Sequence, residues 1–254
     1  MLEEFAGKTA IVTGASRGVG SAAAVALARR GVGRFVVHYG GYREGAERTL
    51  AAVKEAGAEG EILQADLGDT AGIEAFLARL REMDFKADIL VNNAGALVAR
   101  ARLAEFSGEL FDRVMNLNVK SVWFITQAVT PAMIAKGSGV IVNVSSIVGR
   151  NGGRPGATVY AAAKAAVTCM TMGLAKELAP NGILVNAVSP GTVENHFHEL
   201  FSTRQILDSV RAATPAGRLG TNEDIADVIV FLCSDASRYL HGQTIEINGG
   251  ILAP

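Results

Sequence analysis

The sequence has few cysteines, since Cys169 and Cys233 are the two in a chain of 254 residues. They form no Cys-x-x-Cys pair and have no histidine at ligand spacing, which predicts reduced core thiols and excludes a disulfide framework. The chain also has no marked excess of positive or negative charge, because it has 25 acidic and 24 basic residues. This argues against nucleic acid or an anionic membrane as a partner.

Long apolar runs, linkers, repeats and low-complexity stretches are absent as well. No stretch approaches the length of a membrane span. Residues 1–5 lack the basic start and apolar run of an export signal, so the expected location is cytoplasmic. With 49% hydrophobic residues the chain can bury a sizeable core, and we expect one domain over residues 1–254.

Short β-type runs alternate with helical stretches along the chain. The predicted strands are residues 8–13, 34–39, 61–65, 88–92, 140–144, 184–188 and 243–247. The main predicted helices are residues 44–56, 70–83, 107–136, 160–178 and 221–234. This alternation predicts an α/β fold, a Rossmann-type doubly wound parallel sheet of about seven strands with helices on both faces.

Residues 107–136 combine a helical apolar period with an awkward asparagine. The predicted buried face consists of Phe111, Val114, Met115, Val119, Val122, Trp123 and Ile125. Asn118 is unfavourable in mid-helix. It is either a surface asparagine or the site of a local helix distortion that binds a water.

The first strand runs into a glycine-rich turn that ends at Gly20. Gly14 can adopt the dihedrals of a tight turn, Gly18 lets the backbone approach a pyrophosphate, and Gly20 allows close helix packing. The start of the following helix favours an anion. The spacing G-x-x-x-G-x-G is not the common dinucleotide fingerprint, so a loop that merely turns the chain is the alternative.

The second strand ends without the acidic residue that binds ribose hydroxyls in NAD-binding folds. His38, Tyr39 and Gly40 stand there, and Arg17 and Arg43 can pair with a phosphate. This pattern favours NADP over NAD, with solvated surface arginines as the alternative.

The third strand ends at Asp66, a polar tip where an adenine edge can be read. The fourth stops at Asn92 and Asn93 ahead of Ala94 and Gly95. Asparagine side chains can bond their own turn. The two small residues leave room for a flat ligand.

Tyr160 and Lys164 lie four residues apart on a predicted helix, so both address one point in space. This spacing is common by chance, and a surface tyrosine beside a solvated lysine is the alternative. The pair follows a strand that ends at Ser145 and Ser146, at the edge where parallel sheets bind ligands. That position favours an acid/base pair.

Residues 194–214 are polar, contain no strong strand and are interpreted as a lid or substrate loop. His196 and His198 have no third ligand, so we predict no metal site. Four arginines leave room for an anionic substrate or carrier: Arg150, Arg154, Arg204 and Arg211.

These motifs, in this order, resemble the classical short-chain dehydrogenase/reductase family over almost the whole chain. The similarity is greatest to the branch of 3-oxoacyl-carrier-protein reductases and small carbonyl or sugar-alcohol dehydrogenases. The resemblance implies an NADP(H)-dependent oxidoreductase, with NAD(H) as the alternative, that transfers a hydride between nicotinamide and a carbonyl or secondary alcohol. It also implies a small-molecule substrate, free or carrier-linked. The implied assembly is a homotetramer built through the helices that bear Trp123 and Tyr160.

The resemblance assigns four catalytic residues. Tyr160 would be the general acid or base, its pKa lowered by the Lys164 ammonium and the nicotinamide charge. Ser146 would hold the carbonyl oxygen, Lys164 the nicotinamide ribose and Asn118 a water that continues the proton path. The implied cofactor-binding residues are Gly14, Ser16, Arg17, Gly18, Val19, Gly20, Tyr39, Gly40, Arg43, Asp66, Leu67, Asn93, Ala94, Gly95, Tyr160, Lys164, Pro190, Gly191, Thr192 and Val193.

The chain departs from the family pattern in three places. The serine pair lies one residue farther from Tyr160 than is usual, which leaves Ser145 as an alternative to Ser146. Asn195 stands where the family often has a threonine that contacts the carboxamide, and Thr192 is the alternative. The loop after Tyr39 is one residue longer than in close relatives, so the group that meets a 2′-phosphate is open.

Two other functions are compatible with these motifs. One is an NAD-dependent sugar, polyol or hydroxysteroid dehydrogenase. The other is a non-catalytic dinucleotide-binding sensor or scaffold. The intact set of four catalytic residues argues against the second, because a protein without turnover needs none of them.

Overall fold

A computed structural model describes residues 4–253. Seven parallel strands form one sheet in the order β3-β2-β1-β4-β5-β6-β7, which confirms the predicted doubly wound α/β architecture. The strands are β1 (Thr9–Val12), β2 (Arg34–Tyr39), β3 (Glu59–Gln64), β4 (Ile89–Asn92), β5 (Gly139–Val144), β6 (Ile183–Pro190) and β7 (Thr244–Ile247). Residues 1–3, part of the segment expected to lack an export signal, and Pro254 lie outside the described part.

Ten α-helices are found in residues 4–253. They are α1 (Gly18–Arg29), α2 (Arg43–Glu55), α3 (Thr70–Glu82), α4 (Gly108–Met115), α5 (Ser121–Lys136), α6 (Val148–Asn151), α7 (Thr158–Leu178), α8 (His196–Phe201), α9 (Arg204–Ala213) and α10 (Asn222–Cys233). A π-helical turn, Asn116–Lys120, joins α4 to α5, so residues 108–136 form the long helix that was predicted. The segment interpreted as a loop contains α8 and α9 instead.

The sheet is apolar on both faces because helices cover both. Alternate strand residues pack in opposite directions: Val12 and Val91 contribute to the core under α1, α2 and α10. Ile11 and Leu90 contribute to the core under α3, α5 and α7. This explains the nearly continuous apolar runs that predicted the strands.

The predicted buried face of the long helix is wrong in part. Val114, Val122 and Ile125 are buried, but Phe111 and Trp123 are 47% and 42% exposed. The predicted face is too wide, since Trp123 directly follows the buried Val122 and adjacent residues of a helix point about 100° apart. Cys169 is likewise exposed on α7, which corrects the prediction of two core thiols, whereas Cys233 is buried.

One helical stretch contradicts the expectation that no segment reaches the length of a membrane span. Thr158–Asn181, which includes α7, has the length and the mean hydropathy, 1.2, of such a helix. Leu174 and Leu178 of this helix pack in the core with Ile183 and Val185 of β6. Its apolar composition is explained by this contact with the sheet.

The winding of the sheet reverses between β1 and β4, because β2 and β3 lie on one side of β1 and β4 to β7 on the other. Open α/β sheets bind ligands outside the carboxyl ends of the strands at such a switch point. The glycine turn after β1 and the end of β4 therefore lie where a ligand is expected.

The turn after β1 requires glycine at two positions. Gly14 has a φ of +63°, and a Cβ there would lie 2.8 Å from the Cα of Ala94. A Cβ at Gly20 would lie 2.6 Å from the Gly14 carbonyl oxygen and closer still to the Asn93 amide nitrogen. The close packing predicted for Gly20 is thus confirmed.

We expect Gly20→Ala to lower the free energy of unfolding by about 1–3 kcal/mol, because backbone atoms must move to admit the methyl group. Gly41→Ala is the matched control, because a Cβ there meets no atom within 4 Å and the residue has no positive φ. It should change the free energy of unfolding by less than about 0.5 kcal/mol. Urea denaturation measures both variants, and equal stability of the two would contradict the packing argument.

The side chain of His38, in β2, is hydrogen-bonded to the backbone of the glycine turn. Its Nδ1 accepts a hydrogen bond from the Gly14 N–H at 3.0 Å, and its Nε2 lies 3.1 Å from the Ala65 carbonyl oxygen. These partners assign the proton to Nε2. Burial lowers the pKa of His38 to about 4, although the hydrogen bond to Ala65 and the Asp66 charge oppose this.

The His38 imidazole makes stability depend on pH. The unfolded imidazole binds a proton as the pH falls below about 6.5, whereas the folded one binds it only near its pKa of about 4. The free energy of unfolding should therefore fall between these values, by on the order of 3 kcal/mol from this group. Urea titrations of His38→Gln should show a shallower slope than wild type. Equal slopes for wild type and His38→Gln would contradict the assignment.

Candidate active site

A cleft of about 520 Å³ lies at the carboxyl ends of β1, β4, β5 and β6. This size is typical of small-molecule and cofactor sites. Fifteen of the predicted site residues line it: Gly14, Ser16, Arg17, Gly18, Val19, Asn93, Ala94, Gly95, Ser146, Tyr160, Lys164, Pro190, Gly191, Thr192 and Val193.

Helix α7 brings Tyr160 and Lys164 to the same wall of the cleft. The Lys164 Nζ lies 5.7 Å from the centre of the Tyr160 ring and donates a hydrogen bond to the Val144 carbonyl oxygen at 2.9 Å. Lys164 is 3% exposed. Its burial lowers the pKa of the ammonium to about 8. The alternative of a solvated surface lysine is therefore wrong.

The pKa of the Tyr160 phenol differs from the prediction. The side chain keeps some exposed surface in the cleft, yet desolvation by the surrounding protein raises the pKa of the phenol above its usual range. The neighbouring Ser146 hydroxyl acts in the opposite direction. The lowered pKa that was expected does not arise from the groups of this chain, because desolvation outweighs them.

The two serines after β5 face different partners. The Ser145 Oγ donates to the Lys164 carbonyl oxygen at 2.9 Å and lies 2.9 Å from the Thr168 Oγ1. It braces α7 against the sheet. Ser146 is next to Tyr160, and its Oγ accepts a long, 3.4 Å bond from the Val148 N–H. The geometry favours Ser146 over Ser145 as the residue that meets a substrate.

Asn118 lies in the π turn and is fully buried, so the predicted helix distortion is present and the surface alternative is excluded. Its Nδ2 donates to the carbonyl oxygens of Ala96 and Val114, both at 2.9 Å. Its Oδ1 is buried without a partner among the described residues. A Cβ added at Gly95 would lie 2.8 Å from both this Oδ1 and the Lys164 Nζ. The two atoms therefore lie close to each other, on the side of Gly95 where another residue would have its Cβ.

The two arginines predicted to meet a phosphate are placed differently. Arg17 lines the cleft, and its guanidinium stacks on the Tyr42 ring, 4.5 Å from the ring centre. Within residues 4–253 no carboxylate lies within 4 Å of it. Arg43 lies outside the cleft and is paired with Glu47 at 2.7 Å. Arg17 is free for a phosphate, whereas Arg43 is already engaged.

Six predicted cofactor residues do not line the cleft: Gly20, Tyr39, Gly40, Arg43, Asp66 and Leu67. The side chains of Tyr39 and Leu67 are buried in the core. Asp66 accepts from the Gly68 N–H and pairs with Arg113, itself a cleft residue, at 2.8 Å. Burial raises the pKa of Asp66, but these hydrogen bonds outweigh it and the net pKa is lowered.

Asn195 and Thr192 were both candidates for the carboxamide contact. The Asn195 Oδ1 accepts from the Phe197 N–H and caps α8, and its Nδ2 donates to the Asn222 Oδ1. Thr192 lines the cleft without a recorded side-chain bond among the described residues. The free hydroxyl of Thr192 makes it the better candidate.

A second pocket of about 380 Å³ adjoins the cleft at Tyr160 and Phe197, and sequence reasoning missed most of its residues. Helix α9 contributes Ile206, Leu207 and Val210 to its wall. Their helical spacing was the available signal, since it predicts an amphipathic helix where a loop was expected. Arg100 and Phe197 belong to no motif, so no sequence signal pointed to them.

The described residues hold no cluster of three His, Cys, Asp or Glu side chains that could bind a metal. The two histidines of α8 have other partners: His196 lies 3.1 Å from the Glu199 carboxylate and His198 lies 3.3 Å from the Ser202 hydroxyl.

The donor set of the cleft fits a nicotinamide dinucleotide. Arg17, Arg113 and Lys164 line it, and no Asp or Glu of residues 4–253 does. The start of α1 points its N–H groups at the glycine turn, as anion sites require. The buried, unpartnered Asn118 oxygen adds an acceptor beside Lys164.

Comparison with known proteins agrees with this geometry. The family model described as enoyl-(acyl carrier protein) reductase matches residues 14–252. The 3-oxoacyl-[acyl-carrier-protein] reductase of Escherichia coli K12 is 39% identical over 251 residues, which cover 97% of this chain and 98% of the relative.

Two solved structures are similar over nearly their whole length. A gluconate 5-dehydrogenase from Burkholderia cenocepacia, in complex with NADP and tartrate, has a TM-score of 0.87 and 32% identity, covering 98% of this chain and 96% of that one. A 7α-hydroxysteroid dehydrogenase, complexed with NADH and 7-oxo glycochenodeoxycholic acid, has a TM-score of 0.89 and 30% identity, covering 98% and 95%. The fold, the order of the motifs and these relatives establish that the chain belongs to the short-chain dehydrogenase/reductase family.

Proposed function

We propose that this protein is an oxidoreductase that transfers a hydride between NADP(H) and a carbonyl or secondary alcohol, with Tyr160 as general acid and base. The observation that carries the proposal is the convergence of Tyr160, Ser146, Lys164 and the unpartnered Asn118 oxygen at one end of a cleft lined by cations.

The nicotinamide cofactor supplies the hydride when it is bound. The glycine turn and the first turn of α1 would hold its pyrophosphate through backbone N–H groups. Lys164 would bond the nicotinamide ribose, and Thr192 the carboxamide. Arg17 would meet a 2′-phosphate, since its guanidinium lies at the cleft without a carboxylate partner.

Tyr160 would hand its proton to the substrate carbonyl oxygen during reduction. Its raised pKa keeps the phenol protonated until the oxygen acquires negative charge. Ser146 would donate a hydrogen bond to the same oxygen and stabilise the developing alkoxide. In the oxidative direction the phenolate requires the positive charges of Lys164 and of oxidised nicotinamide nearby.

The space beside Gly95 would hold the next member of the proton path. A water between the two atoms would accept from the Lys164 ammonium and donate to the Asn118 Oδ1, since both atoms lie beside Gly95. The path would run from Tyr160 through Lys164 to this water. Asn118 acts by holding the water in place.

The second candidate is an NAD-dependent dehydrogenase of a sugar, polyol or steroid. The relative complexed with NADH gives it some support, and the absence of an acidic residue after β2 weighs against it. The relatives act on different molecules, so none of their substrates is carried over to this chain. A free or carrier-linked carbonyl compound satisfies the proposal equally.

Assembly into a homotetramer is part of the proposal. Helices α4, α5 and α7 expose Phe111, Trp123 and Met172 by 42–47%, and large exposed apolar residues mark interaction surfaces. Light scattering should give the mass of four chains of 26.5 kDa. Trp123→Glu should lower it, and a monomeric wild type would contradict the assembly. A cytoplasmic location stays an expectation.

We expect Tyr160→Phe to lower turnover by about 10²- to 10⁴-fold, because the phenolic proton is lost while the ring stays in place. NADPH affinity should change little. Carbonyl-dependent oxidation of NADPH and a fluorescence titration of its binding measure the two effects. Tyr239→Phe, at a residue 95% exposed, is the control and should behave as wild type. Robust turnover by the Tyr160 variant would overturn the mechanism.

Arg17→Met should weaken NADPH binding about tenfold or more and leave NADH binding nearly unchanged, since only NADPH has the 2′-phosphate. Arg43→Met should have little effect, because its guanidinium is paired with Glu47. Fluorescence titrations with both cofactors at one salt concentration decide between them. Loss of NADPH affinity in the Arg43 variant alone would move the phosphate site to α2. Tighter binding of NADH than NADPH by wild type would favour the NAD-dependent alternative.

A further inference from the structure

The second pocket extends the cleft beyond Tyr160, and hydride transfer does not by itself account for its chemistry. Its walls are largely apolar and include Leu97, Ile147, Ile206 and Val210. No Asp or Glu of residues 4–253 lines either this pocket or the main cleft. The chain has 25 acidic residues, so the complete absence of carboxylates from the combined cavity disfavours a cationic ligand.

Three neighbouring aromatic side chains line this pocket: Tyr160, Phe197 and His198. Phe197 lies 6.0 Å from Tyr160 and His198 lies 5.1 Å from Phe197, measured between ring centres. Burial and the charge of Arg100 lower the pKa of His198 to about 4. His198 is therefore neutral near pH 7, so Phe197 and His198 add no charge to the pocket beside Arg100.

Two arginines line this pocket and not the main cleft, Arg100 and Arg154. The Arg100 guanidinium is held in place by hydrogen bonds that it donates to the Phe201 carbonyl oxygen at 3.2 and 3.3 Å and to the Pro155 carbonyl oxygen at 3.4 Å. These partners are neutral. Within the described residues neither arginine lies within 4 Å of a carboxylate, so both charges are available to a ligand.

Other arginines nearby are already neutralised. Arg211 of α9 pairs with Asp208 and Glu194, and Arg150 of α6 pairs with Glu246. Neither contributes to the pocket lining. Of the four arginines that suggested an anionic substrate in the sequence, Arg154 is the one in the pocket, and Arg100 joins it from a different segment.

We infer that the substrate carries an oxyanion, a carboxylate or a phosphate monoester, that binds Arg100 and Arg154 while its carbonyl lies at Tyr160 and Ser146. The inference rests on the proposed function for the position of the carbonyl. Guanidinium groups bind such oxyanions through paired N–H donors. The occupant is a free small molecule, since the volume of about 380 Å³ matches a ligand of that size.

The test compares matched acids and esters. Methyl-ketone acids with two to six methylene groups between the carbonyl and the carboxylate are assayed with NADPH, each beside its methyl ester. At least one acid should exceed its ester in kcat/KM by about tenfold or more. Because both arginines are exposed, this ratio should fall as potassium chloride is added. Equal kcat/KM for acids and esters at every length would overturn the inference and leave the proposed function intact.

Two substitutions test whether Arg100 and Arg154 cause the preference for acids over esters. Arg154→Met and Arg100→Met should each bring the acid-to-ester ratio toward one. Arg100 also bonds the Phe201 carbonyl oxygen, so its loss could displace the segment around Phe201. The ester kcat/KM is the internal control, because such a displacement would affect acids and esters alike. Arg29→Met, at an exposed residue of α1 remote from both pockets, should keep the wild-type ratio. An unchanged ratio in both pocket variants would contradict the assignment.

A binding measurement separates this inference from the proposed function. Isothermal titration of the NADPH-loaded protein uses hexanoate, hexyl phosphate and methyl hexanoate, none of which has a reactive ketone. Arg154-dependent binding of hexanoate assigns a carboxylate, and such binding of hexyl phosphate alone assigns a phosphate monoester. If no ketone is reduced but an anion binds in this way, the anion site stands and the proposed function fails. If no anion binds more tightly than the methyl ester, the inference is overturned.

Discussion

The site depends on a lysine whose ammonium is buried at the carboxyl end of β5. Burying a charged group costs several kcal/mol unless hydrogen bonds replace its hydration. Here the Lys164 Nζ donates to the Val144 carbonyl oxygen, while the Ser145 hydroxyl donates to the Lys164 carbonyl oxygen. These two bonds run in opposite directions between the same two elements and hold α7 against β5. Tyr160, one helical turn before Lys164, is positioned by this attachment.

A chain of buried amides and hydroxyls continues this attachment through the interior. The Asn92 Nδ2 donates to the Asn143 Oδ1, and the Asn143 Nδ2 donates to the Thr171 Oγ1, both at 2.9 Å. The chain crosses from β4 to β5 to α7. Buried polar groups are costly when unpaired, so a shift of α7 along the sheet would break the bond to Thr171 and leave the buried Asn143 amide nitrogen without a partner. The network therefore fixes the position of α7 along the sheet and, with it, the distance between Tyr160 and Ser146.

Much of the candidate site could be predicted from the sequence because its residues follow strands. The carboxyl ends of parallel strands meet at one edge, so Gly14, Asn93, Ser146 and Pro190 were expected to be neighbours before any coordinates were considered. The sequence did not indicate which partner a charged side chain would pair with. Arg43 pairs with Glu47 and Asp66 with Arg113. Local sequence does not decide among several oppositely charged groups within reach.

The sequence by itself determined the order of strands and helices, the glycine turn and the spacing of Tyr160 and Lys164, because each depends on residues close together in the chain. The tertiary structure decided the second pocket, the ionisation of Tyr160 and the unpartnered oxygen of Asn118. These depend on segments from Leu97 to Val210 that come together only on folding. Desolvation and pairing are properties of the packed environment, which local propensities and periodicity do not encode.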